Sequence, residues 1–245
     1  MIEDLPEIKC LPIPFCDLCG RQRAVKTTGR DRYGYPIKLL RCACGLYRNS
    51  HRPKDLMDFY GGHYRQLVSA YHQREINDQT IQGEQLEYAE WLHAFLWPRR
   101  YDEILDVGGS TGIVSQYLAQ EWGAVTTVVD PCEAELNHVL GERILATAED
   151  FEPGERTWDI ALVCQTIEHL LSPVEVLRKL SRCAGALYVD AVDVETFGNK
   201  ARACKIDHLW GFTDKTMRRT LGETGWQITA SQKRNRHLVY LAVPI

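Results

Sequence analysis

The sequence predicts an α/β fold: a doubly wound, mostly parallel sheet of seven strands with an antiparallel edge hairpin, preceded by a small cysteine-bearing module. Three observations predict it. From Tyr101 onward, short apolar runs alternate with helical patterns. Those runs are nearly continuous, as strands covered on both faces are. Before about residue 55 the chain is turn-rich and poor in helical pattern, and it carries four of its nine cysteines in two tight pairs.

The pairs are Cys16-x2-Cys19 and Cys42-x-Cys44, with 22 residues between them, and Gly20 and Gly45 follow. A thiolate turn closed by glycine is the geometry of a zinc knuckle, because glycine accepts the positive φ that aims backbone amides at sulfur. Four thiolates would form a closed, structural Zn2+ site. It would supply much of the folding energy of a segment that buries little apolar area. The second pair is one residue tighter than C-x2-C, so His51 or Cys10 could replace one of its members. The five remaining cysteines are scattered. An odd count without an export signal leads us to expect a reducing, cytoplasmic setting.

Residues 1–55 are thus read as a zinc-ribbon-like module and 56–98 as a helical connector. Residues 55–75 carry helical pattern broken at Gly61-Gly62, with Tyr60, His63, Tyr64 and Arg65 as a lid over a substrate. Arg65 would meet a phosphate or carboxylate. Then "GEQLEYAEWLHAFLWP" puts Leu86, Ala89, His93 and Leu96 on one helix stripe that stops before Pro98.

Residues 99–245 form the main domain. Strands are expected at 102–107, 124–129, 142–146, 158–164 and 185–191, with helices at 111–122, 132–140, 172–183 and 213–224. Two last runs, 225–232 and 237–243, joined by "KRNR", read as the antiparallel pair. The chain of 245 residues is 44% hydrophobic and 25% charged, which is ordinary for one globular domain with an appendage. No apolar run approaches the roughly 20 residues of a membrane span. The net charge of −4 gives no global attraction to nucleic acid, although residues 20–55 are locally basic.

The chemistry is concentrated in "LDVGGSTG". Asp106 ends the first strand, Gly108, Gly109, Ser110 and Gly112 form the turn, and Asp130 ends the next strand 24 residues later. A dinucleotide fingerprint is G-x-G-x-x-G, and here the pattern is D-x-G-x-x-x-G. A carboxylate ahead of the glycines would repel a pyrophosphate. It suits a ligand with a ribose and a cationic centre. S-adenosylmethionine is such a ligand: Asp106 would face its ammonium and Asp130 its ribose hydroxyls.

Together "LDVGGSTG", "VVDP", "TAEDF", "WDIALVCQTIEHLLSP" and "HLWGFT" resemble, in order and spacing, class I S-adenosylmethionine-dependent methyltransferases, over about residues 85–245. The front end, "RCACGLY" and "FYGGHYR", looks like the zinc ribbon and connector of a subset that methylates sugars and related metabolites in polysaccharide or glycosylated natural-product pathways. The resemblance implies a Rossmann-like sheet and assigns residues by position. Asp106, Gly108, Gly109, Ser110 and Gly112 would cradle the methionine end. Asp130 and Pro131 would flank the ribose and adenine, Ala148 and Glu149 would line the adenine edge, and Cys164 and Gln165 would back the methionine. Ser110 stands where many relatives have glycine, and its hydroxyl is expected to bond the ligand carboxylate.

For the acceptor side the resemblance points to His208 in "KIDHLWGFT" as a base, with His169 in "IEHL" beside it. Tyr64, Arg65, Asp193 and Trp210 would contact substrate, with Asp190 nearby and Phe212 extending an apolar wall. The expected acceptor is a hydroxyl of a saccharide, nucleotide sugar or glycan end. C-methylation of a keto-sugar is a close second, because Asp207-His208 resembles the acid–histidine pair of such enzymes. The alternative is an RNA base methyltransferase that holds RNA on the basic zinc module.

Overall fold

The computed structural model describes residues 7–22, 24–64, 66–67, 70 and 78–245. The main sheet has seven strands: β6 (Glu103–Val107), β7 (Val125–Asp130), β8 (Glu142–Leu145), β9 (Ile160–Val163), β10 (Leu187–Val192), β12 (Trp226–Arg234) and β13 (His237–Pro244). Their order is β12-β13-β10-β9-β6-β7-β8. All neighbours are parallel except β13, which runs antiparallel to both β10 and β12. Strands β6, β9 and β10 are buried almost throughout, as their unbroken apolar runs require.

Helices α1 (Asp78–Leu96), α2 (Ile113–Trp122), α3 (Glu133–Leu136), α4 (Pro173–Leu180) and α5 (Asp214–Glu223) accompany the sheet. The α1 stripe is rotated from the expected one. Tyr88, Ala89, Leu92 and Leu96 are buried, whereas Leu86 is 43% exposed. Tyr88 takes the inner face because its hydroxyl finds polar partners there, Tyr188 at 2.7 Å and Asp190 at 3.0 Å. The third helix is shorter than expected.

The strand order reverses between β6 and β9, which opens a crevice at the carboxyl ends of β6, β7, β9 and β10, where open α/β sheets bind ligands. Asp106, Asp130, Gln165 and Asp190 all stand at or just past those ends.

The N-terminal module holds β2 (Ala24–Arg30), β3 (Pro36–Cys42) and β4 (Tyr47–Asn49), with a small β1–β5 pair (Cys10–Pro12, His51–Pro53). Its sheet does not end within the module. Strand β11 (Trp210–Gly211), from the far side of the main domain, completes the order β11-β4-β3-β2. Cys16, Cys42 and Leu46 pack into the same core as Trp210, Phe212 and Met217. After the module, the helical turn Leu56–Asp58 does not break at Gly61-Gly62 but widens into a π turn, Phe59–His63. Part of the expected connector, Arg65 included, lies outside the described residues.

Candidate active site

The turn after β6 is built around one carboxylate. Asp106 is 1% exposed, and neither of its oxygens has a hydrogen-bond partner among the described residues. Burial pushes its carboxyl up to about 6; the nearby Ser115 opposes this, and the charge of Asp130 adds to it. A Cβ on Gly109 would lie 2.5 Å from the Asp106 Cγ, so glycine is needed for the turn to pass this close. Gly108 and Gly112 have φ of 70° and 71°, and Gly112 opens α2.

Asp130 locks the turn from the next strand. Its Oδ2 accepts the Ser110 amide at 2.9 Å and its Oδ1 the Cys132 amide at 2.8 Å. Each oxygen keeps a second lone pair. The Ser110 hydroxyl donates to Glu135 Oε2 at 3.0 Å. The residue adopts a glycine-like φ of 52° to do so.

These residues fit S-adenosylmethionine. An orphaned buried anion calls for a cation, which the ammonium provides, and a strand-end carboxylate with spare lone pairs suits a ribose diol. Ala148 is buried, and Pro131 and Glu149 are half-buried. One oxygen of the Glu149 carboxylate, Oε1, accepts the Leu171 and Ser172 amides at 2.7 and 3.1 Å ahead of α4, and its backbone carbonyl accepts Lys179 Nζ at 2.6 Å. Burial pushes the half-buried Cys164 thiol well up. Gln165, at φ 50°, donates its amide to Asp190 Oδ1 at 2.8 Å. Such a backbone, unfavourable for a side-chain-bearing residue, is held by that bond.

Gln165 also lines a cavity of about 930 Å³. Its walls include Arg32 from the module, Tyr64 from the connector, and Glu168, His169, Lys205 and His208. The His169 and His208 rings stand edge to face, 4.5 Å apart. His208 is 5% exposed, and its Nδ1 lies 3.0 Å from the Ala203 carbonyl. That carbonyl can only accept, so the proton sits on Nδ1 and Nε2 carries the lone pair. The His169 Nδ1 meets the Tyr60 hydroxyl at 2.8 Å.

Both rings are neutral at neutral pH. Burial lowers His169 to about 4 despite Asp207, and burial, then Lys205, holds His208 well below its ordinary value. Burial raises Glu168 to about 7, and its Oε2 has no partner among the described residues. The acid expected beside His208 faces elsewhere. Asp207 Oδ2 lies 3.6 Å from His169 Nδ1 and 3.7 Å from Lys205 Nζ.

Several expected contacts fall outside the cavity. Trp210 is 3% exposed, its indole donates to the Leu170 carbonyl at 2.8 Å, and Phe212 shares its core. As a strand residue paired with Arg48, Trp210 is a wedge between module and domain, not a substrate wall. Asp193 caps the turn at Glu195 and pairs with Lys233 at 2.7 Å. Sequence reasoning missed Glu168, Arg32 and Lys205. Glu168 had a signal, an acid inside the otherwise apolar "QTIEHLL". Arg32 and Lys205 are brought in by long-range packing and had none.

The four cysteine sulfurs form a separate group whose Sγ atoms all lie within 4.8 Å of one another. Cys16 to Cys44 is 3.6 Å and Cys19 to Cys42 is 3.3 Å. A tetrahedron of zinc–thiolate bonds has edges of roughly 3.8 Å, whereas a disulfide is about 2.05 Å. Gly20 and Gly45 take φ of 67° and 97°, and their amides close the turns onto the Cys16 and Cys42 carbonyls. The donor set therefore fits zinc. The structure brings neither alternative ligand into it: Cys10 bonds the Ile8 carbonyl and His51 bonds Ser50.

Among the described residues, no helix is long and apolar enough to cross a membrane. Solved structures share the fold at low sequence identity. Magnesium protoporphyrin IX methyltransferase from Synechocystis PCC 6803, with bound SAH, is 15% identical with a TM-score of 0.58, covering 78% of this chain and 98% of that one. The plantazolicin methyltransferase BpumL, in complex with a monoazolic desmethylPZN analogue and SAH, is 14% identical with a TM-score of 0.55, covering 77% and 93%. No curated protein sequence matches. The methyltransferase domain family matches residues 81–231, from within α1 into β12, and so takes in the whole cofactor cradle. With that match over most of its length and a sheet in this strand order, the chain belongs to the methyltransferase domain family and has the class I S-adenosylmethionine-dependent fold.

Proposed function

We propose that this protein methylates a small polar acceptor bound in the cavity beyond Gln165: a hydroxyl of a saccharide, nucleotide sugar or glycan end first, and the carbon beside a keto group second. One observation carries the reading. The cavity is lined by Gln165, whose neighbour Thr166 packs on Gly108 of the cradle, and its wall holds two neutral histidines and a raised glutamate. S-adenosylmethionine supplies a methyl already activated by its positive sulfur. The chain has to hold it, aim the acceptor and take a proton. Asp106 binds the ammonium and Asp130 the ribose. His208, with its Nδ1 proton held by Ala203, presents Nε2 as the proton acceptor. His169, held by Tyr60 and Asp207, orients the acceptor beside it.

A volume of about 930 Å³ suits a small molecule of roughly 300–1,000 Å³ sites. Lys205 and Arg32 depress the proton affinity of His208. An acceptor carrying negative charge, as a nucleotide sugar does, would offset their field and restore basicity. The Glu168, His169 and His208 ligand atoms also lie close enough to hold a metal ion, but those same two cations oppose a dication. The RNA alternative draws less support. Of the basic residues counted towards it, Arg48 is 2% exposed and bonds backbone carbonyls, and Arg32 lines the cavity. We further propose that the four cysteines hold one structural zinc ion.

Calorimetry with S-adenosylhomocysteine tests the cofactor assignment, and its release on screening nucleotide sugars against transfer RNA tests the acceptor class. His208→Ala is expected to slow methyl transfer roughly 10²–10⁴-fold with cofactor affinity retained. Equal turnover would remove His208 from the mechanism.

A further inference from the structure

Resting on the reading of the His169–His208 cavity as the acceptor site, we propose that the cysteine module is the positioning element of that site, with Asn49 and Asp31 holding the Lys205–His208 loop in place. Asn49 is 1% exposed. Its Nδ2 donates to the Lys205 carbonyl at 2.6 Å and the His208 carbonyl at 2.9 Å, and its amide donates to the Leu209 carbonyl at 2.8 Å. Asp31 accepts the Ile206 amide at 3.0 Å. The backbone on both sides of the His208 ring is therefore bonded to the module.

The module is itself clamped at the other end of the same hairpin. Cys42 and Cys44 stand at the turn between β3 and β4, and β4 carries Asn49. Arg48, next to it, donates to the Ile13, Pro14 and Gln22 carbonyls that surround the Cys16–Cys19 knuckle. A metal that ties the two knuckles thus fixes β4, β4 fixes the loop, and the loop carries His208 and holds its ring against the Ala203 carbonyl that sets its tautomer. The cofactor cradle is braced separately, by Val129, Cys132, Gln116 and Glu135. Asn49 is accordingly a positioning residue for one half of the site.

The test reads the His208 imidazole directly, by nitrogen NMR and by its rate of modification with diethyl pyrocarbonate, together with S-adenosylhomocysteine affinity by calorimetry. Lys205, Asp207, His169, Glu168 and Arg32 surround the ring and set its baseline in every variant. Wild type is expected to show a single Nδ1–H tautomer and slow modification. In Asn49→Ala the ring should average between tautomers and react at least about tenfold faster, as a locally opened segment does, with cofactor affinity unchanged. Asn49→Ser, which keeps one donor, should fall between, and it decides the question if Asn49→Ala does not fold. Removing the metal with a chelator should move His208 in the same direction.

His208 signals that stay at their wild-type values in a folded Asn49 variant, or after verified metal loss, overturn the proposal. A wild-type protein that gives no heat with S-adenosylhomocysteine would instead overturn the methyl-transfer reading, and the imidazole spectra would still report on the loop.

Discussion

Replacing Asp106 with asparagine should strengthen the fold in the absence of cofactor while weakening cofactor binding. The folded carboxyl sits at about 6 against an ordinary 3.8, chiefly because it is buried. The folded state therefore holds this proton more tightly than the unfolded chain does. The contribution to stability is greatest below 3.8, declines as pH rises through that window and levels off above about 6. That displacement corresponds to a penalty of about 3 kcal/mol on the ionised form. An asparagine still buries an amide, so the change at one pH mixes packing with charge. Comparing wild type and Asp106→Asn by denaturant unfolding at about pH 4 and about pH 8 cancels the packing part, and should leave roughly 2 kcal/mol in favour of the variant at the higher pH. With S-adenosylhomocysteine the order reverses. Loss of a charge-assisted bond to the ammonium, worth about 1.5–3 kcal/mol, weakens affinity roughly 10- to 150-fold. Parallel pH–stability curves for the two proteins, or equal affinities, would refute the idea that this carboxylate is a buried charge kept for a cation.

Ser110→Gly relieves a φ of 52° at the cost of the hydroxyl bond to Glu135 and should raise stability by up to about 1 kcal/mol in a thermal melt, with cofactor affinity little changed because the amide bond to Asp130 survives. Gly109→Ala should do the opposite. Its Cβ meets the Asp106 carboxyl and Val128, and overpacking of about 1–3 kcal/mol should appear in unfolding together with loss of cofactor heat in calorimetry. Metal analysis of the purified protein should find about one equivalent of zinc, and Cys19→Ser should both release it and lower the melting temperature. A thermal transition unaffected by chelation would count against a structural metal.

The sheet was legible because its information is local. The central strands are apolar runs, and "KRNR" marks the hairpin between the last two strands. The cradle was legible for the same reason: Asp106, its glycines and Asp130 lie on one strand–turn–helix–strand unit. The acceptor side was read less well, since it is assembled from distant segments. Asn49 and Lys205 are 156 residues apart, and Asp17 accepts the Val174 amide across 157 residues. A sequence pattern cannot show that Asp207 turns towards His169 instead of its neighbour His208, or that Trp210 pairs with a strand of the module. Aromatic and acidic residues near a site suit either a ligand or a core, and tertiary packing decided between them.

The strand pairing of Trp210 and Gly211 with β4 also bears on where the chain can be divided. A break near residue 55 follows the change in composition, yet it would strip β11 of its neighbour and take away the acceptor that Asp17 provides to the first turn of α4. The family segment, residues 81–231, makes a worse fragment still: it stops inside β12 and omits β13, the strand that joins β12 to β10. Expressed alone, that segment would bare the edge of β10 and leave the remnant of β12 without a partner, a template for self-association. For this protein, the stretch that comparison delimits and the stretch that can be produced as a stable piece have different ends.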